Sequence, residues 1–266
     1  MTRFPLLAAL AVALATPAAA RDAPWLIAPS ALVEVARSLG GPAARVETRE
    51  EEEAVTAYCQ GLGAQTADAL LLTRRLLDRE RTSCEAEAIA GEPERLLGVI
   101  GLALDGPFDG LTRRHLWQAV ARQISEDGKL ADNKQRSWRK IDPALPDRPI
   151  ALRIEAPEPL IEALVLATGC LGASGYAKLD RTRLCRGLRS DLPSGPDPIV
   201  IRRLGPESTG RPVEGVSPTA ADLASGRYPL ARRVYLYVKG AHLPGIPGLS
   251  SLLRQDAPGL LAPQTP

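Results

Sequence analysis

Short apolar segments alternate with amphipathic ones along this chain, and that alternation predicts an α/β protein with a mixed, mainly parallel sheet. Two further observations support the prediction. "ALLL" (69–72) and "RLLGVIGLAL" (95–104) are apolar runs of the kind found in strands covered on both faces. Helix start and stop signals fall between the runs, with Ser30 and Thr48 as caps and Gly40-Gly41 as a stop.

The elements follow in order. Residues 1–20, "MTRFPLLAALAVALATPAAA", read as a cleaved signal peptide, with Arg3, an apolar run from Leu6 to Ala15 and an Ala18-x-Ala20 site. That apolar run falls short of the roughly 20 residues a membrane span needs, so the mature chain is expected to be exported and soluble. "WLIAP" (25–29) is a strand, and "SALVEVARSLGG" a helix capped by Ser30. "ARVET" (44–48) is a second strand. Thr48 then caps a helix from Arg49 to about Gly61, with Glu51 completing a Thr-x-x-Glu capping box. Glu50, Glu51, Glu52 and Glu53 lie at its start, where each carboxylate typically gains about 0.3–1 kcal/mol from the helix dipole.

The strand 69–72 leads into a helix that begins near Thr73-Arg74-Arg75 and keeps its Arg and acidic residues on a wet face. In "LTRRHLWQAVARQI" (111–124), Leu111, His115, Ala119 and Arg122 trace one side of a helix, while Leu116, Val120 and Ile124 line another. "PIALRIEAP" (149–157) is a strand, "EPLIEALVLATGC" (158–170) a helix, "DPIVIRRLG" (197–205) a strand, and Arg233–Lys239 an alternating strand. The Pro-rich end, 255–266, reads as a disordered tail.

Several function classes find no support. Lysines and arginines number 33 against 31 acidic residues, a formal net charge of +2, so there is no electrostatic case for nucleic acid. No nucleophile elbow, phosphate loop, dinucleotide fingerprint or His-Glu-x-x-His occurs. The two histidines, His115 and His242, do not form a catalytic set, so no catalytic residue, cofactor or metal is assigned, and enzymatic activity is the minority reading. Cys59, Cys84, Cys170 and Cys185 lie in a chain bound for an oxidising compartment, which predicts two disulfides. Three connectivities exist; pairing within the local couples 59–84 and 170–185 is favoured because each encloses a short segment. Helix starts that follow strands suit anions, and Ser30, Thr48 and Thr73-Arg74-Arg75 are the candidates, with an arginine for a bidentate grip.

The order of segments resembles the phosphate-binding proteins of ABC transporters. "WLIAPS", "AYCQG" with "LLTRRLLDRERTSC", "VIGLALDG", "SWRKIDPALPDRPI" and "PVEGVSPTAADLASGRYPLARRVYLYVKGAH" are similar, in sequence order, to that family's landmarks. The resemblance implies a type II periplasmic-binding-protein fold of two α/β lobes. Lobe 1 would hold residues 22–104 and 228–254, and lobe 2 residues 105–227. It implies a periplasmic monomer that presents phosphate or a related oxyanion to a membrane permease. Ser30, Thr48, Thr73 and Arg74 would donate to the ligand, and Asp105 would accept from its proton.

The chain departs from the family at all three anion loops. The first is shortened to Ser30, the second reads "REEEE", and the Ser-Gly-Thr-Arg turn expected before residue 158 is missing. One like charge at 4 Å costs about 4 kcal/mol at an effective dielectric of 20. That is nearly three decades of affinity. The alternative is therefore a divergent binding-protein fold that no longer takes phosphate and serves another ligand or an envelope protein. Whether Arg74 is tied to the glutamates decides between the two.

Overall fold

The computed structural model describes residues 23–61, 65–86, 94–126, 129–170, 185–192, 194–205, 209–239 and 259–260. Residues 1–20, expected from the sequence to be a signal peptide, and His242 lie outside these residues.

The first half of the chain forms strands β1 (Trp25–Ala28), β2 (Arg45–Thr48) and β3 (Ala69–Leu72), with helices α1 (Val33–Gly40), α2 (Glu51–Tyr58) and α3 (Asp78–Ala86). The 11-residue β4 (Arg95–Asp105) follows. Then come α4 (Arg113–Val120), β5 (Gln123–Glu126), β6 (Lys129–Asp132), α5 (Trp138–Ile141) and β7 (Leu152–Ile154). The chain continues through α6 (Glu158–Ile161), a π-helical turn (Glu162–Leu166), α7 (Ala167–Gly169), β8 (Ile199–Arg203), α8 (Ala220–Ser225), β9 (Ala231–Val238) and β10 (Gly259–Leu260).

The main sheet has the order β2-β1-β3-β9-β4-β8-β7. β2, β1 and β3 are mutually parallel, as are β7 and β8. β9 runs antiparallel between β3 and β4. β4 pairs with β9 over Arg95–Gly101 and with β8 over Leu102–Asp105, so one continuous strand serves two half-sheets. A strand so placed is covered along most of its length, which is why Leu97–Leu104 carries no charge.

Side-chain alternation builds two layers in the first half. Leu26, Ala28, Ala69 and Leu71 share a core with Leu32, Val35, Ala36 and Leu39 of the α1 region. Ile27, Leu70 and Leu72 point the other way, into a core with Ala54, Val55 and Tyr58 of α2 and with Tyr235 and Tyr237 of β9. Both faces of β3 are thus buried, and each fully buried leucine contributes about 1.5–3 kcal/mol. In the second half Leu116, Trp117 and Val120 of α4 pack with Trp138, Leu160, Ile161 and Ile201. The disulfides are Cys59–Cys84 and Cys170–Cys185, the local pairing. No helix among the described residues is long and apolar enough to cross a membrane.

Several local expectations are corrected. Ser30 does not cap α1: it lies exposed in a 3₁₀ turn, Ser30–Leu32, and Leu32 takes the cap position because its side chain must enter the core. Thr48 does not cap α2 either. It remains in β2 opposite Ala28, Arg49 N still bonds to the Ala28 carbonyl at 3.2 Å, and the chain turns at Glu50, which is extended at ψ 151°. No helix starts at Thr73; residues 73–77 form a loop, and α3 begins at Asp78 because Leu76 N is held by the Tyr237 hydroxyl at 3.0 Å. The helix at 113 ends at Val120, and Ile124 belongs to a β5–β6 hairpin that alternation alone did not reveal. The 158–169 helix is interrupted by its π turn. β9 starts two residues early, at Ala231. Gly259 and Leu260, placed in the tail by composition, pair with Gly98 and Val99 on the edge of β4 that β8 leaves open.

Gly169 sits where a side chain cannot. A Cβ there would collide with Trp117 Cβ and lie 2.7 Å from the Arg113 carbonyl oxygen. Gly169→Ala should therefore lower stability by about 1–3 kcal/mol, read as a lower urea midpoint at unchanged slope.

Candidate functional site

The carboxyl ends of β1, β2 and β3 lie along one edge of the first half-sheet, where an open α/β sheet binds ligands. Ser30, Thr48, Thr73 and Arg74 all stand on or just beyond that edge. Asp105 does not join them. It ends β4 in the second half-sheet, with its Oδ2 2.6 Å from Arg202 Nε.

At this edge Thr73 and Arg74 make a cradle of donors, and it is filled from within. Glu51 Oε1 accepts from Thr73 N at 2.8 Å and from Thr73 Oγ1 at 2.6 Å. Its Oε2 lies 3.1 Å from Arg74 Nε. The other edge of the Arg74 guanidinium is clamped by Glu80, with Nη1 at 2.7 Å from Oε2 and Nη2 at 2.8 Å from Oε1. Glu80 Oε2 also accepts from Leu77 N at 2.8 Å, so one carboxylate starts α3 and orients the arginine. This clamp holds the Glu80 carboxyl below its ordinary range and raises Arg74 further, the Arg74–Glu80 hydrogen bond being the main cause of both.

The remaining glutamates of the run go elsewhere. Glu50 Oε1 is 2.7 Å from Arg186 Nη2, in the segment that pairs with the end of α4. Glu52 faces Arg79 at 3.7 Å, with both side chains largely exposed. Glu53 is exposed.

Arg232 lies within electrostatic reach of Glu51, and Arg113 within reach of Arg232. Arg232 of β9 is partly buried and donates to the carbonyls of Ala231 at 2.8 Å and Pro229 at 3.4 Å. Burial depresses its pKa, the Arg113 charge adds to that, and Glu51 acts in the opposite direction. Arg113, in the first turn of α4, is held by Glu214 through Nε at 2.9 Å and Nη2 at 3.1 Å. His115 has a structural task. Its Nδ1 accepts from Thr112 N at 3.3 Å, which leaves Nε2 to donate to Asp142 at 3.1 Å.

The loop below the cradle is fixed by a second knot. The Tyr237 hydroxyl, its pKa pushed up to about 12 chiefly by burial, accepts from Leu76 N and donates to Glu94 Oε2 at 2.9 Å. Glu94 also meets Arg75 Nε at 2.9 Å. Beside Glu80, a groove of about 560 Å³ runs between α2 and α3 from Glu52 and Arg79 to Cys59 and Ser83.

Sequence reasoning did not find the roles of Glu51, Glu80, Arg186 and Arg232. The signal available for Glu80 was an acid six residues after Arg74 at a helix start. Nothing local marked Arg186 or Arg232, which reach the site through the fold.

No family model and no curated protein matches the chain. Among solved structures it is similar to a possible phosphate binding protein from Planctomyces limnophilus, at 18% identity and a TM-score of 0.54, covering 87% of this chain and 86% of that one. The chain has the periplasmic-binding-protein fold. An ABC-type phosphate transport receptor from Vibrio cholerae aligns over 88% of this chain and 94% of its own, at 12% identity and a TM-score of 0.45. PstS from Borrelia burgdorferi aligns over 86% and 90%, at 10% identity and a TM-score of 0.44. β4 runs through both half-sheets, paired with β9 in the first and β8 in the second, and the Thr73–Arg74 cradle follows β3, the other neighbour of β9.

The Glu80 clamp has a pH signature. A carboxyl held below its ordinary value of 4.5 in the folded state adds stability that is complete above that value and is lost as pH falls through the lower folded one. Glu80→Gln should thus be less stable than the parent at pH 7. The two urea midpoints should converge as pH drops well below 4.5, in a pH 3–7 series of unfolding curves.

Proposed function

We propose that this chain is an exported, non-enzymatic binding protein of the periplasmic-binding-protein fold whose anion cradle is occupied by its own Glu51, and that free phosphate is not its ligand. The observation that carries this reading is the three-donor contact of Thr73 and Arg74 with the Glu51 carboxylate. Charge-assisted hydrogen bonds contribute about 1.5–3 kcal/mol each, and an incoming anion must replace them. It must also approach Glu80, whose side chain is only 10% exposed and already tied to Arg74.

Phosphate carriage by Ser30, Thr48, Thr73, Arg74 and Asp105 is the competing reading. Retention of Thr73 and Arg74 favours it. It requires Glu51 to leave the cradle and Asp105 to give up Arg202. On the preferred reading the protein acts as a periplasmic monomer of two lobes, residues 22–104 with 228–254 and residues 105–227, after loss of residues 1–20. It serves another ligand or an envelope protein partner rather than delivering phosphate to an ABC permease.

Calorimetric titration of inorganic phosphate into the mature, disulfide-intact protein tests this at pH 7 and moderate salt. The expected result is no binding heat and no change in melting temperature at millimolar phosphate. Micromolar binding would restore the phosphate-carrier reading.

A further inference from the structure

We propose that the Thr73–Arg74 cradle is a carboxylate site and that Glu51 is its tethered competitor, so that a small external carboxylate binds there once Glu51 is displaced. This rests on the reading of Glu51 as the occupant of the anion position.

The donor pattern sets the ligand class. Two donors, Thr73 N–H and O–H, converge on one oxygen at 2.8 and 2.6 Å, and a third, Arg74 Nε, meets the other oxygen at 3.1 Å. Three donors and two acceptor oxygens match one planar carboxylate. The terminal nitrogens of Arg74 add little for a larger anion, because Glu80 takes both and the Arg75 carbonyl shares Nη1 at 3.0 Å. A tetrahedral dianion would bring four oxygens and a second charge to a place offering three donors beside the Glu80 carboxylate. A monocarboxylate brings one charge and leaves none of the three donors unused.

Displacement asks little of the fold. The Glu51 side chain is 24% exposed, so rotation about its own bonds carries the carboxylate towards solvent. Glu80 and the Tyr237 hydroxyl hold the loop from the other side, so the donors stay in place when Glu51 leaves. A side chain tethered next to its site acts at an effective concentration on the order of millimolar or higher. An external carboxylate must exceed that concentration in the parent protein and need not do so once the carboxylate is removed.

The test is the melting temperature of the mature, disulfide-intact parent, Glu51→Ala and Glu51→Gln in sodium acetate, against sodium chloride and sodium phosphate at equal ionic strength. Glu51→Ala should rise by about 3–6 °C at an acetate concentration ten times its dissociation constant. The parent should stay unchanged at the same concentration, and phosphate should give the smaller shift. Adding Thr73→Val to Glu51→Ala should remove the acetate response. Glu51→Gln keeps the side-chain shape while turning a donor towards Arg74, and should respond at higher acetate if Glu51→Ala does not fold. Absence of an acetate response in folded variants overturns the site. A larger phosphate shift overturns the ligand class, and an equal response in the parent overturns the competitor role. Micromolar phosphate binding by the parent would instead overturn the functional reading, an outcome separate from these.

Discussion

The first half of the molecule is organised around three donors that need an acceptor. Thr73 leaves β3 with a backbone N–H and a hydroxyl aimed at the sheet's carboxyl edge, and Arg74 follows with a charge. Polar groups in such a place are costly when unpaired. A binding protein can leave this requirement to its ligand, accepting the cost in the empty state. Here the chain meets it from within, because α2 begins so that Glu51 falls opposite Thr73. The helix begins after Glu50, which holds the cap position without a side-chain hydrogen bond.

The same requirement propagates outward. Arg74 cannot serve Glu51 unless its plane is fixed, and the bidentate contact with Glu80 fixes it. Glu80 can do so only because Leu77 N ties it to the start of α3, and α3 is joined to the end of α2 by Cys59–Cys84. The two helices that supply the carboxylates are thus covalently linked at their far ends. A disulfide at this position limits how far Glu51 and Glu80 can separate, whatever it adds through the unfolded chain. The two carboxylates exceed the single charge of Arg74, and Arg232 supplies part of the balance from β9.

The fold was legible in the sequence where burial dictated composition. The runs 69–72 and 95–104 read as strands covered on both faces, which holds for all of 69–72 and from Leu97 to Leu104, and the bounds of β3 followed from the apolar run alone. The local disulfide pairing followed from spacing. What failed was local chemistry overruled by distant groups. Thr48 is a good capping residue by type, yet its position opposite Ala28 keeps it in the sheet. Thr73-Arg74 looks like a helix start until Tyr237, more than 160 residues later in the chain, takes the Leu76 N–H (a separation of 161). The β5–β6 hairpin was missed because Ile124 fits the helical stripe of Leu116 and Val120 as well as it fits a strand.

The acidic run shows how far sequence alone could carry the site. Glu50–Glu53 satisfy the dipole of α2, and that explanation would hold for any four acids in any order. It cannot explain why the individual positions differ. Glu50 reaches Arg186 in the second half of the molecule, Glu51 turns inward to Thr73 and Arg74, and Glu52 meets Arg79 across the α2–α3 groove. Glu50 is still extended, and a helix places the three glutamates that follow about 100° apart, so the four carboxylates face different surroundings. Only the position whose direction coincides with the carboxyl edge of β3 can act as an anion in the cradle, and that position is Glu51. The charge of the run is therefore shared by the helix, while the identity of the cradle's occupant is set by helical phase.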